Sequence, residues 1–208
     1  MSWSLLVEKG ARASRFGLLA TVRCRLDRAW LRLVRRAFGF DAWHAAAPFT
    51  CRPYKRKVVE LANSLNAATA VEVGCGLGDI LSRVRAAEKF GFDTDPAVIR
   101  AAGFLHPRGA RWIHGDEGSV ARCLAVDFKI DCLIAVNWIH NLSSERLSAF
   151  LLPLLPRVRY LILDAIDPNG PASYRFKHDF DFLQPFAECV ARVPLAGEPR
   201  HLLLFKVA

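Results

Sequence analysis

A glycine-rich segment between an apolar run and a helix-like run constrains the fold of this chain most. It reads Val71-Glu72-Val73-Gly74-Cys75-Gly76-Leu77-Gly78-Asp79 and follows residues with β-strand character. Glycine lacks a Cβ, so the backbone at Gly74, Gly76 and Gly78 can turn sharply and approach a ligand closely. Open α/β sheets bind ligands at the carboxyl ends of their strands. The segment therefore predicts an α/β domain with a ligand site after its first strand.

The chain beyond residue 66 alternates between strand-like and helix-like patterns. Strands are predicted near 69–73, 88–92, 110–114, 131–136, 158–164, 187–193 and 201–207, and helices near 78–86, 96–104, 118–125 and 144–154. This alternation is typical of a parallel sheet with helices on both faces. The short connection between the last two strands indicates an antiparallel hairpin. We expect residues 67–208 to form a Rossmann-like, seven-stranded, mostly parallel sheet with an antiparallel C-terminal hairpin.

Residues 1–66 are predicted to form a basic helical extension with helices over 18–37 and 54–65, separated at Gly39. Apolar residues of the first helix recur at three- and four-residue steps, at Leu19, Val22, Leu26, Trp30, Leu33 and Ala37. Arginines fall on the opposite side, at Arg25, Arg28, Arg32 and Arg35. We expect the apolar stripe to pack on the domain. The arginine face then makes at most weak, salt-sensitive contact with an anionic membrane.

The charge of the chain is concentrated in this extension. The net charge is +9, and residues 1–40 hold nine Lys or Arg against Glu8 and Asp27. Few aromatic residues are interleaved with these arginines, so nucleic acid is not the expected partner. No apolar run approaches the roughly 20 residues of a membrane span, and the N-terminus does not resemble a signal peptide. These features favour a cytoplasmic protein, peripheral at the inner membrane face at most.

The six cysteines indicate neither a metal site nor a redox motif. No two of them form a C-x-x-C pair, and several lie in apolar runs, such as Cys132 within Asp131-Cys132-Leu133-Ile134. We therefore expect no metal and predict buried free thiols, which suit a reducing cytoplasm.

The spacing of the glycines distinguishes between two classes of ligand. Dinucleotide-binding loops follow G-x-G-x-x-G, whereas here the third glycine comes one residue earlier and Asp79 follows it. A carboxylate beside a pyrophosphate would be repulsive, and Glu72 adds a second anion next to the loop. The site therefore suits a cationic ligand with an ammonium group and disfavours a nicotinamide dinucleotide.

The pattern E-x-G-x-G-x-G from Glu72 to Gly78 resembles motif I of the class I S-adenosylmethionine-dependent methyltransferases. Later segments resemble that family's further motifs in the same order, over residues 67–208: Phe90-Gly91-Phe92-Asp93, His114-Gly115-Asp116, the run 131–142 and Tyr160-Leu161-Ile162-Leu163-Asp164. The resemblance implies S-adenosylmethionine as the cofactor. It places cofactor contacts at Glu72, Gly74, Cys75, Gly76, Gly78, Asp93, Thr94, Asp116 and Asn137.

The resemblance also assigns roles to the acidic residues. Glu72 is expected to hold the methionine ammonium, Asp93 the ribose hydroxyls and Asp116 the adenine amino group. Asn137 ends the strand-four motif, beside the transferable methyl. Retention of Glu72, Asp93 and Asp116 argues that the cofactor site is intact.

The segment after strand four bears on the acceptor. It reads Asn137-Trp138-Ile139-His140 and lacks the Pro-Pro-Tyr that follows Asn or Asp in DNA-adenine and protein-glutamine methyltransferases. His140 is a candidate general base, because imidazole can deprotonate a hydroxyl near neutral pH. A purely structural role for His140 is an equal alternative.

Two further clusters are candidates for acceptor binding. The segments Phe40-Asp41-Ala42-Trp43-His44 and Arg52-Pro53-Tyr54 resemble a cluster in small bacterial methyltransferases of the sugar and cell-surface polysaccharide type. We therefore predict that His44, Arg52 and Tyr54 bind the acceptor, and that Arg52 would contact a phosphate or carboxylate group. The second cluster covers residues 174–182, after the fifth predicted strand, and in it His178, with Asp179 as its orienting partner, is a candidate base. An exposed edge or loop is an equally simple explanation of its alternating aromatic and polar residues.

Together these features predict O-methylation of a small-molecule or glycosidic acceptor. N-methylation of a small amine is the first alternative, since it needs no strong base. A non-catalytic binding subunit that keeps the methyltransferase fold is the second.

Overall fold

The computed structural model describes residues 3–171 and 173–208, and within 3–18 only the helical backbone. The chain forms two compact units, Met1–Pro53 and Tyr54–Ala208. Almost the whole of helix α3, Pro53–Ser64, is therefore grouped with the sheet. The division into an extension of residues 1–66 and a domain of residues 67–208 stays a prediction.

The first unit consists of α1 (Trp3–Phe38), α2 (Ala42–Ala46) and a 3-10 turn at Phe49–Cys51. Helix α1 ends at Gly39, whose φ of 81° allows the chain to reverse. Cys24 and Cys51 form a disulfide with their Cα atoms 5.4 Å apart. Thr50 Oγ1 donates a hydrogen bond to Asp27 Oδ2 at 2.6 Å beside that disulfide.

The burial of α1 contradicts the expected orientation of the helix. Leu31 and Val34 are buried, and Arg28 and Arg35 donate hydrogen bonds to the carbonyl oxygens of Ala46 and Phe40. The predicted apolar stripe is exposed instead, at Leu19, Val22, Leu26, Trp30 and Leu33. The expectation of a buried stripe was wrong because the backbone carbonyls around α2 need donors, which arginines supply and leucines do not.

The second unit is built on one sheet with the strand order β3-β2-β1-β4-β5-β7-β6. The strands are β1 (Thr69–Val73), β2 (Glu88–Asp93), β3 (Arg111–His114), β4 (Ile130–Ala135), β5 (Val158–Ile166), β6 (Ala187–Pro194) and β7 (Arg200–Val207). The first five are parallel, and β7 pairs antiparallel with both β5 and β6. This confirms the predicted Rossmann-like sheet and its antiparallel hairpin.

Helices cover both faces of the sheet, because the strands carry apolar side chains on both faces. One face packs against α5 (Ser119–Cys123) and α6 (Ser144–Leu151) through residues such as Val71, Leu133 and Leu161. The other packs against α3 through Ala70, Ile134 and Ile162. Helix α4, Pro96–Leu105, has Asp95 as its N-cap, and the carboxylate of Asp95 accepts a hydrogen bond from Ala97 N at 2.7 Å.

The expected helix over 78–86 is replaced by a 3-10 turn at Leu81–Arg83. Gly78 has a φ of 78°, and β2 begins at Glu88 in register with Thr69. That prediction was wrong because side chains take the backbone N–H groups that a helix would use: Leu81 N donates to Glu72 Oε2 and Arg85 N donates to Asn63 Oδ1. Among the described residues, none of the helices has the length and apolar character needed to cross a membrane.

The cysteines divide into bonded and free pairs. Cys75 and Cys132 are buried free thiols, as expected, whereas Cys123 and Cys189 are free and exposed. Burial raises the pKa of Cys132 to about 12, so its thiol is inert. The expectation of free thiols was wrong for Cys24 and Cys51, because the return of the chain after α2 brings two distant positions together.

Candidate cofactor and acceptor site

The glycine loop follows β1 and contacts the carboxyl end of β2. Gly74, Gly76 and Gly78 have φ values of 69°, 54° and 78°, a region that favours glycine. Cys75 N donates to Phe92 O at 2.9 Å, and Gly76 N donates to Asp93 Oδ2 at 2.9 Å. The loop is therefore held against the acidic residue that the sequence nominated for the ribose.

Two tryptophans make glycine obligatory at two of these positions. A Cβ on Gly74 would lie 2.1 Å from Trp138 Cδ1, and one on Gly78 would lie 2.4 Å from Trp112 Cη2. Trp138 Nε1 also donates to Val73 O. The indole of Trp138 thus ties the segment after β4 to the end of β1, where the resemblance places the methionine part of the cofactor.

Glu72 lies one residue before the end of β1 and is buried. One of its carboxylate oxygens accepts a hydrogen bond from Leu81 N at 3.1 Å. Burial raises the pKa of Glu72 well above its ordinary value, although the charge of Lys55 acts in the opposite direction. Lys55 itself pairs with Asp79, at 2.6 Å between Nζ and Oδ2.

Acidic residues also lie at the ends of β2 and β3, which are neighbours in the sheet: Asp93 ends β2, and Asp116 lies two residues after β3. Asp93 Oδ1 accepts from Asp95 N at 3.1 Å, and Thr94 O lies 3.1 Å from His114 Nε2. Asp116 is exposed enough to meet a ligand, and its Oδ1 accepts from Ser119 Oγ at 2.8 Å. That hydrogen bond, together with Arg122, lowers the pKa of Asp116.

A cavity of about 310 Å³ opens beside Asp116. It lies between the segment after β3 and helix α6, and its lining includes Glu117, Ala121, Phe150 and Leu154. Arg146 on α6 also lines the cavity and pairs with Glu117 at 2.6 Å. An apolar wall with carboxylates at its edge can hold a flat heteroaromatic ring that carries an amino group.

A buried charged cluster occupies the carboxyl end of β4 and β5. Arg200 donates to Asp164 Oδ2 at 3.1 Å and to Asn137 Oδ1 at 3.2 Å, and it pairs with Glu198 at 2.7 Å. Its guanidinium lies 3.9 Å from the centre of the Tyr54 ring. Burial disfavours the charge on Arg200, but Asp164 and Glu198 outweigh it and raise the pKa.

His140 belongs to this cluster and is 1% exposed. Its Nδ1 lies 3.1 Å from Phe176 O. Its Nε2 lies 3.3 Å from Asp164 Oδ2, close enough for an ion pair but outside hydrogen-bonding geometry. Because a carbonyl oxygen can only accept, Nδ1 carries the proton in the neutral ring. Nε2 is then the nitrogen that could take a proton, and it faces the buried Asp164 carboxylate and not solvent.

His178 does not pair with Asp179, so that predicted pair was wrong. His178 is buried, with Nε2 at 3.1 Å from Ile139 O and Nδ1 at 3.4 Å from Ser144 Oγ. Asp179 instead accepts from Asp181 N. Burial lowers the pKa of His178, and the ring fastens its segment to the start of α6.

His44 and Arg52 lie in the first unit. The Arg52 guanidinium lies 4.8 Å from the centre of the Trp43 ring. His44 Nδ1 lies 3.0 Å from Asp41 Oδ2, and the same carboxylate caps α2.

The sequence interpretation missed the cluster of Asp164 and Arg200. One signal was present: Asp164 interrupts the apolar run of β5, and a buried carboxylate requires a partner. The partner could not be identified, because Arg200 is 36 residues away and reaches Asp164 only through the antiparallel return of β7.

Comparison with known proteins finds solved structures of similar fold. The sequence matches no protein-family model and no curated protein. Among solved structures, the chain is similar to the N-methyltransferase NodS from Bradyrhizobium japonicum WM9, with a TM-score of 0.66 and 16% identity over 85% of this chain and 97% of that one. It is also similar to a magnesium protoporphyrin IX methyltransferase from Synechocystis PCC 6803, with a TM-score of 0.61 and 16% identity over 88% and 97%.

A third similar structure is the mitomycin 7-O-methyltransferase MmcR, with a TM-score of 0.60 and 15% identity over 84% of this chain and 60% of that one. The Synechocystis structure contains bound S-adenosylmethionine, and the NodS structure contains S-adenosylhomocysteine. The three proteins are an N-methyltransferase, a magnesium protoporphyrin IX methyltransferase and a 7-O-methyltransferase, and what they have in common with this chain is the architecture. The chain has the fold of the S-adenosylmethionine-dependent methyltransferases.

Proposed function

We propose that this protein is an S-adenosylmethionine-dependent methyltransferase that acts on a small-molecule or glycosidic acceptor. The observation that carries the proposal is the glycine loop held against Asp93 at the carboxyl ends of β1 and β2. It stands in the fold of enzymes crystallised with this cofactor. The order of the sheet brings Glu72, Asp93 and Asp116 to adjacent strand ends.

The residues present fit the cofactor chemically. Carboxyl groups at Glu72, Asp79, Asp93 and Asp116 make the loop region suitable for a ligand with an ammonium and a sulfonium. Asp79 pairs with Lys55 and Asp116 with Arg122. When bound, the cofactor supplies a methyl group activated by its sulfonium. We assign Glu72 to the ammonium and Asp93 to the ribose. The backbone of Gly74, Cys75, Gly76 and Gly78 then passes close to the cofactor.

The adenine end of the site is assigned to the cavity beside Asp116. The assignment of Thr94 to cofactor binding stays a prediction from the sequence. We assign Asn137, whose backbone adopts a φ of 74°, to the boundary between cofactor and acceptor. Its backbone N–H donates to Asp164 Oδ1 at 2.8 Å, which fixes this turn. Most of the rate enhancement would come from alignment of the methyl with the acceptor atom.

His140 is our candidate base for O-methylation, with Asp164 as its positioning partner at 3.3 Å. The His178 ring stacks on His140 and the Tyr54 ring lies against Arg200, which supports their assignment to acceptor binding. The burial of His140 favours a second candidate, N-methylation of a small amine, because an amine needs no strong base. The assignment of His44 and Arg52 to acceptor binding stays a prediction from the sequence. We further propose a cytoplasmic location, where the bond between Cys24 and Cys51 would be subject to reduction.

Removal of the Asp93 carboxylate tests the cofactor assignment. Asp93→Ala should weaken binding of S-adenosylhomocysteine by roughly 1.5–3 kcal/mol, the range for hydrogen bonds to a charged group. Titration calorimetry measures the affinity, and Asp93→Asn keeps an acceptor for Gly76 N as a check on loop structure. Asp127→Ala, an exposed position before β4, is the matched control. An unchanged affinity in Asp93→Ala would remove Asp93 from the site.

A further inference from the structure

The exposed side of α1 carries a continuous apolar stripe. Leu19, Leu26 and Leu33 are 87%, 65% and 56% exposed, with Val22 and Trp30 between them. At about 100° per residue, these five positions fall within roughly 80° of the helix circumference. Isolated apolar side chains are normal on a surface, but an aligned series of five marks an interaction site.

Basic residues border this stripe on both sides. Arg25, Arg32 and Arg36 are exposed along one edge, and Arg23 is exposed along the other. Asp27, the acidic residue within positions 19–38, lies on the packed side and accepts from Thr50. The face that surrounds the stripe is therefore wholly cationic over the described part of the helix.

The packing of the first unit keeps this face presented. The disulfide of Cys24 and Cys51 and the hydrogen bonds of Arg28 and Arg35 all lie on the opposite side of α1. The helix is thus anchored through one face, and the stripe with its arginines remains available for another surface.

We propose that α1 docks in the plane of an anionic lipid bilayer. The five apolar side chains would enter the boundary between headgroups and acyl chains, where Trp30 suits the interface. The flanking arginines would meet the lipid phosphates. A second copy of this chain is a poorer occupant, because the arginine edges of two such helices would repel one another. This inference stands independently of the proposed enzymatic function.

Vesicle cosedimentation of the full chain tests this proposal. We expect binding to vesicles of phosphatidylcholine mixed with phosphatidylglycerol, weaker binding to phosphatidylcholine alone, and loss of binding as salt is raised. Each of Arg25→Gln and Arg32→Gln should lower the partition coefficient about fivefold, which corresponds to about 1 kcal/mol per basic residue. The double variant Leu26→Gln/Leu33→Gln should lower it further without lowering the melting temperature, because both side chains are exposed and glutamine has a helix propensity close to that of leucine.

Val126→Asn is the matched control, since Val126 is 87% exposed in the second unit and should not affect vesicle binding. The proposal is overturned if the wild-type chain ignores anionic vesicles, or if the double variant binds them as well as the wild type. It is also overturned if the chain is a dimer in solution that the double variant dissociates, because the stripe would then belong to a second copy.

Discussion

At the scale of single residues, Glu72 links the candidate site to the pH dependence of protein stability. Its carboxyl is buried beside the glycine loop, and burial raises its pKa well above the ordinary value of 4.5. An acid of this kind stabilises the fold below its unfolded pKa, and the contribution is lost as the pH rises through the folded pKa. A cation bound next to Glu72 would offset that loss, so the residue couples stability to occupancy of the site.

We predict that Glu72→Gln reduces the pH dependence of stability. Between pH 4.5 and the folded pKa, Glu72 makes the free energy of unfolding fall by up to about 1.4 kcal/mol per pH unit. Glutamine still accepts from Leu81 N but has no proton to lose. Urea unfolding at several pH values measures the slope, with Glu88→Gln at the exposed start of β2 as the control. A wild-type slope in Glu72→Gln would show that Glu72 is ionised in the folded protein.

Substitution of His140 distinguishes between a hydroxyl acceptor and an amine acceptor. If it is the base, His140→Ala should lower turnover by about 10²–10⁴-fold while leaving binding of S-adenosylhomocysteine intact. Turnover is measured on the hydroxyl or amine acceptor that a panel of sugars, phenols and small amines identifies. Near-normal turnover would favour the amine, and loss of cofactor binding as well would make His140 structural.

The limits of the sequence are clearest at Asp164. Its place in an apolar strand predicts that it needs a partner, but a sequence does not identify which of the many arginines supplies one. Arg200 meets Asp164 because β7 returns between β5 and β6, which is a property of the sheet order. The acidic residues near the ends of β1, β2 and β3 could be predicted in advance, since each lies within two residues of the end of a recognisable strand.

At the scale of elements, the glycine loop combines backbone freedom with side-chain packing. Gly39 and Gly78 have nearly equal φ values, 81° and 78°, but a Cβ at Gly39 meets no atom within 4 Å. A Cβ at Gly78 meets Trp112. The two positions therefore separate the cost of a left-handed backbone from the cost of a steric clash.

We predict unequal losses of stability from the same substitution at these two glycines. Gly39→Ala should cost about 1–2 kcal/mol, the cost of a left-handed non-glycine residue. Gly78→Ala should cost about 1–3 kcal/mol more, because Trp112 must move. It should also weaken binding of S-adenosylhomocysteine, whereas Gly39→Ala should not. Denaturant unfolding and calorimetry measure both effects, and equal losses would contradict the packing of Trp112 on the loop.

The same scale explains why helix α1 was predicted correctly in type but not in orientation. The three- and four-residue repeat of Leu19, Val22, Leu26, Trp30 and Leu33 identifies a helix with an apolar side. It does not reveal that Arg28 and Arg35 satisfy backbone carbonyls of the following segment. Hydrophobic periodicity assumes that the apolar side is the packed side, and that assumption fails where an apolar face serves another surface.

At the scale of the whole molecule, the seven strands of the sheet and their order account for the position of the site. Parallel strands bring the residues after β1, β2 and β3 to one edge, and the pairing of β1 with both β2 and β4 brings the glycine loop beside Asn137 and Trp138. Strands β1, β4, β5 and β7 were predictable because each contains a short apolar run. The central claim is that this edge binds S-adenosylmethionine and not a dinucleotide.

Titration calorimetry of the full-length chain with S-adenosylhomocysteine and with NAD tests that claim most directly. The glycine spacing and the carboxylates around the loop predict saturable binding of S-adenosylhomocysteine and no detectable binding of NAD. Tighter binding of NAD, or no binding of S-adenosylhomocysteine even at millimolar concentration, would contradict the assignment of the site.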